Sequence, residues 1–248
     1  MTDPTTAIII PALNEERAIG RVVASVIDRV DRVVVADNGS TDATAEVARH
    51  AGARVVSVPE PGYGRACLAG MDATRDIDII VFMDGDASDD PADLDALLAP
   101  IRAGEVAFTL GSRLAGQLAG QVERGALTLP QRFGNTLACT LMRLIWNSRF
   151  TDLGPFRAIT RPALDRLGMQ APTFGWTVEM QVRLLKHAVP YREVPVRYRR
   201  RIGTSKISGT LRGVVLAGWY ILGTIAVEAL RGRLMLTRNP KPKPVPPG

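Results

Sequence analysis

Ile77-Asp-Ile-Ile-Val-Phe-Met-Asp-Gly-Asp86 is the stretch from which the fold can be read. Its apolar run, Ile79 to Met83, is too short for an ordinary helix and reads as a buried strand. Two carboxylates, Asp84 and Asp86, flank a glycine directly after it. The pattern of buried run followed by polar turn occurs twice upstream. Ala7-Ile-Ile-Ile10 runs into Pro11-Ala-Leu-Asn-Glu15, and Val33-Val-Val-Ala36 into Asp37-Asn-Gly-Ser40. Helical patterns separate the runs. One is capped by Asn14-Glu-Glu16 and extends to about Ile27, one is opened by Thr41 and Asp42 and ended by Gly52, and one of small residues spans Gly64 to Ala73. Arg54 to Val58 reads as a further strand. Such alternation predicts an α/β fold with a mostly parallel central sheet, right-handed crossovers and flanking helices. Ligands in such sheets sit outside the carboxyl ends of the strands. Polar groups cluster at three of those ends, which predicts one site.

Composition agrees with a globular chain. The 248 residues are 46% hydrophobic and 23% charged, enough apolar matter for one large domain and too much for a disordered chain. Two cysteines, Cys67 and Cys139, exclude a disulfide framework and a Cys-rich zinc site, and His50 with His187 cannot build a multi-histidine centre. The net charge of +6 is distributed with mixed sign: acids gather at Asp84 to Asp95, bases at Arg197 to Lys206. That layout, without interleaved aromatics, does not predict nucleic-acid binding. Met1 to Thr6 shows no charged-then-apolar leader, so a cytoplasmic setting is expected. Gly213 to Val227 is apolar or small throughout, shorter than the roughly 20 residues of a membrane span. It reads as a helix packed on the domain or on a second copy in a homodimer, or as one lying on a membrane surface through Trp219, Tyr220, Arg231 and Arg233. The final residues, Arg238 to Gly248, alternate Pro with Lys and read as a disordered end. The expected division is therefore a domain over 7–206, an apolar helix over 207–235 and a tail over 236–248.

Asp84 and Asp86 can turn toward one divalent cation. Mg²⁺ or Mn²⁺ accepts one or two carboxylates and completes its shell with substrate phosphates. The plainer reading is a solvated acidic turn, since Asp89, Asp90 and Asp93 follow. Asp37 fits either a base or ribose contact or the start of an Asx-turn. Gly62-Tyr-Gly-Arg65 is a flexible loop ending in a cation, suited to phosphate but nonspecific alone.

Taken together, Ile10-Pro-Ala-Leu-Asn-Glu15, Val35-Ala-Asp-Asn-Gly-Ser-Thr-Asp42, Gly62-Tyr-Gly-Arg-Ala66 and Met83-Asp-Gly-Asp86 resemble, in that order, the inverting family-2 glycosyltransferases of the GT-A fold. Gly111-Ser-Arg113, Arg132-Phe-Gly-Asn135, Asp152 with Pro155-Phe-Arg-Ala158, Glu193-Val-Pro195 and Gly203-Thr-Ser-Lys206 resemble the polyprenyl-phosphate branch, which includes dolichyl-phosphate mannose and glucose synthases. The resemblance spans about residues 7 to 210. It implies that Pro11, Ala12, Asn14, Glu15 and Asp37 read the base and ribose, with Gly64 and Arg65 in the donor loop. It places a cation and the diphosphate at Asp84, Gly85 and Asp86. Arg113 and Arg132 would meet donor or acceptor phosphate, beside Asn135. Two departures stand out: Arg65 occupies a common Lys position, and Asp37-Asn38 replaces the commoner Asp-Asp.

The expected chemistry is in-line, inverting transfer of a hexose from a nucleotide-diphosphate sugar, most simply UDP-linked, to a polyprenyl phosphate at the inner membrane face. The cation would neutralise the leaving diphosphate, helped by Arg113, Arg132, Arg201, Ser205 and Lys206. A lipid phosphate is already an anion and requires no strong base. A soluble hydroxyl acceptor, the second reading, would require one, with Asp152 the candidate unless it is merely ion-paired with Arg157 or Arg161. Arg199-Arg-Arg201 with Gly203 to Lys206 reads as a basic loop that closes over the diphosphate, or as a solvated face. Trp176 and Glu179 open a helix to Lys186 that either walls the site or fills the core. A sugar-phosphate nucleotidylyltransferase would carry a Gly-rich, Arg-containing first loop, and a non-catalytic nucleotide-binding module would tolerate loss of Asp86.

Overall fold

The computed structural model describes residues 3–203 and 211–238, with side chains over 3–203 and 218–231. Among the described residues, seven strands form one sheet in the order β3-β2-β1-β4-β6-β5-β7. The strands are β1 (Thr6–Ala12), β2 (Arg32–Asp37), β3 (Arg54–Ser57), β4 (Ile79–Phe82), β5 (Phe108–Ser112), β6 (Arg157–Thr160) and β7 (Tyr191–Pro195). The helices are α1 (Ile19–Val26), α2 (Thr44–His50), α3 (Tyr63–Asp72), α4 (Leu94–Arg102), α5 (Arg113–Leu118), α6 (Leu129–Trp146), α7 (Arg161–Leu167), α8 (Trp176–Lys186) and α9 (Leu211–Arg238).

The apolar runs are buried on both faces because helices cover both. Along β1, Ile8 and Ile10 join the core under α1 and α4, while Ile9 joins the other, under α3, α6 and α8. β4 alternates likewise, with Ile80 and Phe82 on one side and Val81 and Met83 on the other. Each such fully buried side chain contributes roughly 2 kcal/mol. Gly70 of α3 lets that helix close onto β1, since a Cβ there would sit 2.3 Å from Ile9 Cγ2.

β1 pairs in parallel with β2 on one side and β4 on the other, so the strand order reverses between β1 and β4. That reversal opens a crevice beyond their carboxyl ends, where Pro11-Ala12 and Asp84-Asp86 emerge. The sheet is mixed, however. β6 runs antiparallel to both β4 and β5, while β7 returns parallel to β5.

Two boundaries differ from the sequence reading. The chain from Asn14 to Arg17 turns instead of starting a helix, because Asn14 sits in the left-handed region at φ 52° and α1 begins only at Ile19. β3, read as Arg54 to Val58, ends at Ser57 and is an edge strand with Arg54 and Ser57 exposed. The apolar C-terminal stretch forms α9, which packs on α6 and α8. Among the described residues no helix is long and apolar enough to cross a membrane. Residues 204–210, with Ser205 and Lys206, and the tail from 239 onward lie outside the described residues.

Candidate functional site

Two cavities meet at the carboxyl end of β4. The first, of about 370 Å³, has Pro11, Ala12 and Glu15 on the β1 side, Asp84, Gly85 and Asp86 on the β4 side, and Arg201 facing them. Asn38, Gly62, Tyr63 and Phe174 complete it, with Tyr220 from α9. The second, of about 420 Å³, shares Tyr63, Asp84 and Phe174 with the first. Its remaining wall is largely apolar: Phe133 and Leu137 of α6, Leu153, and Ile221 and Leu222 of α9, with Arg113 as its cation.

The first cavity depends on two loops in close contact. A Cβ on Gly64 would lie 2.0 Å from Ala171 O and one on Gly62 2.3 Å from Pro172 O, so only glycine permits this approach. Arg65 N donates to Pro172 O at 3.0 Å. Glu179 holds the second loop from beneath, its carboxylate accepting the N–H groups of Gln170 and Ala171 and pairing with Arg183 at 2.7 Å. Asn38 holds the first. Its Nδ2 donates to Val58 O and Glu60 O, and its Oδ1 accepts Gly62 N at 2.7 Å. The Asn in place of the commoner Asp is thus a loop fastener, with both donor and acceptor functions in use.

Asp84 and Asp86 stand at the junction. Asp86 Oδ1 accepts Ser88 N at 2.9 Å, while Oδ2 lies 3.2 Å from Arg201 Nη2. Burial first, and the neighbouring Asp86 charge second, push the Asp84 carboxyl up to about 7. Behind them Asp89 donates nothing but accepts Asp84 N at 3.1 Å, and burial drives its carboxyl well up as well. Among the described residues no cluster of three or more His, Cys, Asp or Glu forms a cage. The chain offers a carboxylate pair whose mutual repulsion a cation would relieve, and the open shell suits a cation that also takes phosphate oxygens.

Asp152 and Arg113 form the second polar centre. Arg113 donates from Nε to Asp152 Oδ2 at 3.0 Å, from Nη2 to Oδ1 at 2.7 Å and from its backbone N–H to Oδ2 at 2.6 Å. Burial alone would raise the Asp152 carboxyl, but the Arg113 charge and these hydrogen bonds outweigh it and hold it below the usual range. Its partner is therefore neither Arg157 nor Arg161. Arg157 is fully buried and donates to the carbonyls of Gly154 and Thr177, and Arg161 donates to Thr74 and Ile77 carbonyls. Glu193, to which the sequence assigns no role of its own, accepts the N–H groups of Thr151 and Asp152 and so positions that loop. Arg113, Arg132 and Asn135 line a recess of about 290 Å³ together with Asp152. Asn135 spans the loop beneath it, donating to Thr151 O at 3.1 Å and accepting Leu153 N at 2.8 Å.

Other expected residues lie elsewhere. Asn14 Oδ1 accepts Thr41 N at 2.8 Å and joins the β1 and β2 ends, on the exposed side. Asp37 is buried and accepts Ser40 N at 3.3 Å, the Asx-type contact, and Asn38 takes the place in the cavity wall. Arg65 pairs with Glu60 at 3.0 Å. Trp176 is a core residue with no exposure, edge-on to Phe82 at 4.6 Å. In the described part of the basic run, Arg199 pairs with Asp90, and Arg201 with Glu15 and Asp86.

Residues 7–168 match the family described as glycosyl transferase family 2. The chain is 35% identical to an uncharacterized glycosyltransferase of Mycobacterium tuberculosis, covering 88% of this chain and 96% of that one. It is 31% identical to a dolichyl-phosphate hexose transferase of Haloferax volcanii, covering 91% and 96%. Among solved structures, the glucosyl-3-phosphoglycerate synthase of Mycobacterium tuberculosis with Mn²⁺, uridine diphosphate and phosphoglyceric acid superimposes with a TM-score of 0.74 at 25% identity, covering 91% of this chain and 78% of that one.

Proposed function

The chain belongs to glycosyl transferase family 2 and has its GT-A fold, and from that footing we propose that it moves a hexose, with inversion, from a UDP-linked sugar to a polyprenyl phosphate at the inner face of a membrane. The observation that carries the acceptor reading is the apolar cavity that shares Asp84 with the polar one. A small phosphorylated acid gains nothing from walls of Phe133, Leu137, Ile221 and Leu222, whereas an isoprenoid buries its first units there. The named dolichyl-phosphate relative supports the same acceptor, and the synthase bound to Mn²⁺ and uridine diphosphate supports the donor and cation.

In this reading Pro11, Ala12 and Glu15 receive the nucleoside, and Asp84 with Asp86 holds Mg²⁺ or Mn²⁺. When bound, that cation supplies charge neutralisation at the departing diphosphate. Arg201 adds a guanidinium on the same cavity, with Ser205 and Lys206 following it in the chain. Arg113, held by Asp152, and Arg132, which lines the adjoining recess with Asn135, orient the acceptor phosphate. The acceptor is an anion, so its attack requires placement and charge, not deprotonation.

The soluble hydroxyl acceptor fares worse on one specific ground. It requires a base, and Asp152 is locked to Arg113 by three hydrogen bonds with its carboxyl held acidic. Membrane contact is supported by apolar side chains exposed around the second cavity. Leu129 and Phe133 of α6 and Trp219 of α9 are 78%, 71% and 75% exposed, with Arg124 and Arg132 nearby in sequence.

The test is incubation with UDP- and GDP-hexoses, Mn²⁺ and a short polyprenyl phosphate, read by mass spectrometry. The expected product is a polyprenyl-phosphate hexose from a UDP donor. Transfer solely to water, 3-phosphoglycerate or another soluble acceptor overturns the lipid assignment.

A further inference from the structure

One guanidinium nitrogen stands between two carboxylates in the polar cavity. Arg201 Nη2 lies 2.9 Å from Glu15 Oε1 and 3.2 Å from Asp86 Oδ2. The oxygen it touches is the one Asp86 has left to offer, since Oδ1 accepts Ser88 N. The position is built, not incidental. Ile202 N donates to Asp86 O and Arg199 N to Ser88 O, both at 2.9 Å, so residues 199–202 are strapped to the Asp-Gly-Asp loop by backbone bonds. A further donor of this group is unspent: Arg201 Nε is buried and has no acceptor among the described residues.

These contacts conflict with cation binding. A divalent ion takes carboxylate oxygens at about 2.1 Å, and two positive groups crowded onto one oxygen repel. A planar guanidinium with several donors is, in turn, a strong phosphate partner. Resting on the reading of Asp84 and Asp86 as cation ligands, we propose that Arg201 competes with the cation for Asp86 and is drawn away by the donor's diphosphate. Cation and nucleotide then bind as a coupled pair: each is held weakly alone and tightly once the other is present. The strap keeps Arg201 within reach of both positions throughout.

The coupling is measurable without turnover. Mn²⁺ binding to the full chain, followed by the paramagnetic resonance signal of free Mn²⁺ in the absence of nucleotide, is compared for wild type, Arg201→Gln and Arg200→Gln. Arg200 pairs with Glu123 and touches neither Asp86 nor Glu15, so its substitution makes the same charge change one residue away. Arg201→Gln is expected to bind Mn²⁺ about 10-fold more tightly than wild type, within the usual range of site-to-site coupling. Arg200→Gln should stay within about twofold of wild type, as rim charges do. UDP binding in chelator, by calorimetry, should weaken about 10-fold in Arg201→Gln, because the diphosphate loses the group it recruits. Should the Gln variant fail to fold, Arg201→Lys, whose ammonium ends about one bond short of the nitrogen that touches both carboxylates and lacks the planar face offered to a diphosphate, is expected to show the same directions at smaller size. Equal or weaker Mn²⁺ binding by the Arg201 variants, or equal tightening by Arg200→Gln, overturns the competition. Absence of Mn²⁺ binding by every protein, with UDP or without, overturns the cation reading itself.

Discussion

Burial beside Asp86 places the Asp84 carboxyl near 7, far above where the unfolded chain would hold it. Between about pH 4 and pH 7 the folded protein therefore binds a proton that the unfolded chain releases, and stability falls as pH rises through that window. Asp84→Asn removes the penalty. At pH 8 the substitution is expected to raise the melting midpoint by about 5 °C, as roughly 2 kcal/mol does in a chain of this size. At pH 5, where the wild-type carboxyl is already protonated, the gain should vanish, and transfer should be lost at both pH values. Calorimetry at the two pH values decides it, and an equal gain at both would remove burial as the cause. This pair was legible in the sequence because it follows a buried strand, whose end the fold class points at the ligand. The Asp152–Arg113 lock and the contact of Arg201 with Glu15 were not. Their partners lie 39 and 186 positions apart, and only packing brings them together. Asn38 was legible as a departure but not as a fastener, because its partners are backbone groups of another loop.

At the scale of elements, α9 adds a buried polar anchor to its packing on α6 and α8. Glu228 is buried and reaches Lys186 at 2.5 Å, Arg183 at 3.4 Å and Arg231 at 3.4 Å. Burial opposes its ionisation, but the Lys186 hydrogen bond and the three positive charges prevail and hold its carboxyl below the usual range. The stabilisation it gives is present above about pH 4.5 and lost as pH falls through its lowered value. Glu228→Ala is expected to cost about 2 kcal/mol, less than a fully buried pair because Arg231 is largely exposed. Hydrogen exchange should quicken along α9 before the sheet, and uniform quickening would make the network merely global. The helix itself was legible from its apolar run, and its docking was not, since both faces of that run are apolar. β6 escaped for the opposite reason. Arg157-Ala-Ile-Thr160 opens with a charged residue that the fold buries completely, so neither hydropathy nor period marks it as a central strand.

For the whole molecule, the proposed membrane face makes a claim that flotation tests. Phe133 and Leu129 are exposed on the side of α6 that carries the apolar cavity's wall. Phe133→Ser with Leu129→Ser should weaken binding to anionic phosphatidylglycerol vesicles about 1,000-fold, at roughly 2 kcal/mol of lost burial for each side chain. Thermal stability should hardly change, since neither residue is in the core. Arg132→Gln should lower vesicle affinity by about 1 kcal/mol, and raising the salt should erase that difference. Unchanged flotation in the double variant would move the contact elsewhere. Much of the molecular plan followed from strand ends and helix periods, because a parallel sheet converts the order of elements into the position of its crevice. The second cavity did not follow, because its walls come from α6 and α9, which the chain visits some 80 residues apart.

Tyr220 and Leu222 are two positions apart on α9, yet one lines the polar cavity and the other the apolar one. In the proposed reading, donor and acceptor thus share this helix as a common wall. A relative that lengthened, tilted or exchanged this helix would alter its taste in acceptors and its grip on donors in one step, so the specificities of such enzymes should drift together, not independently.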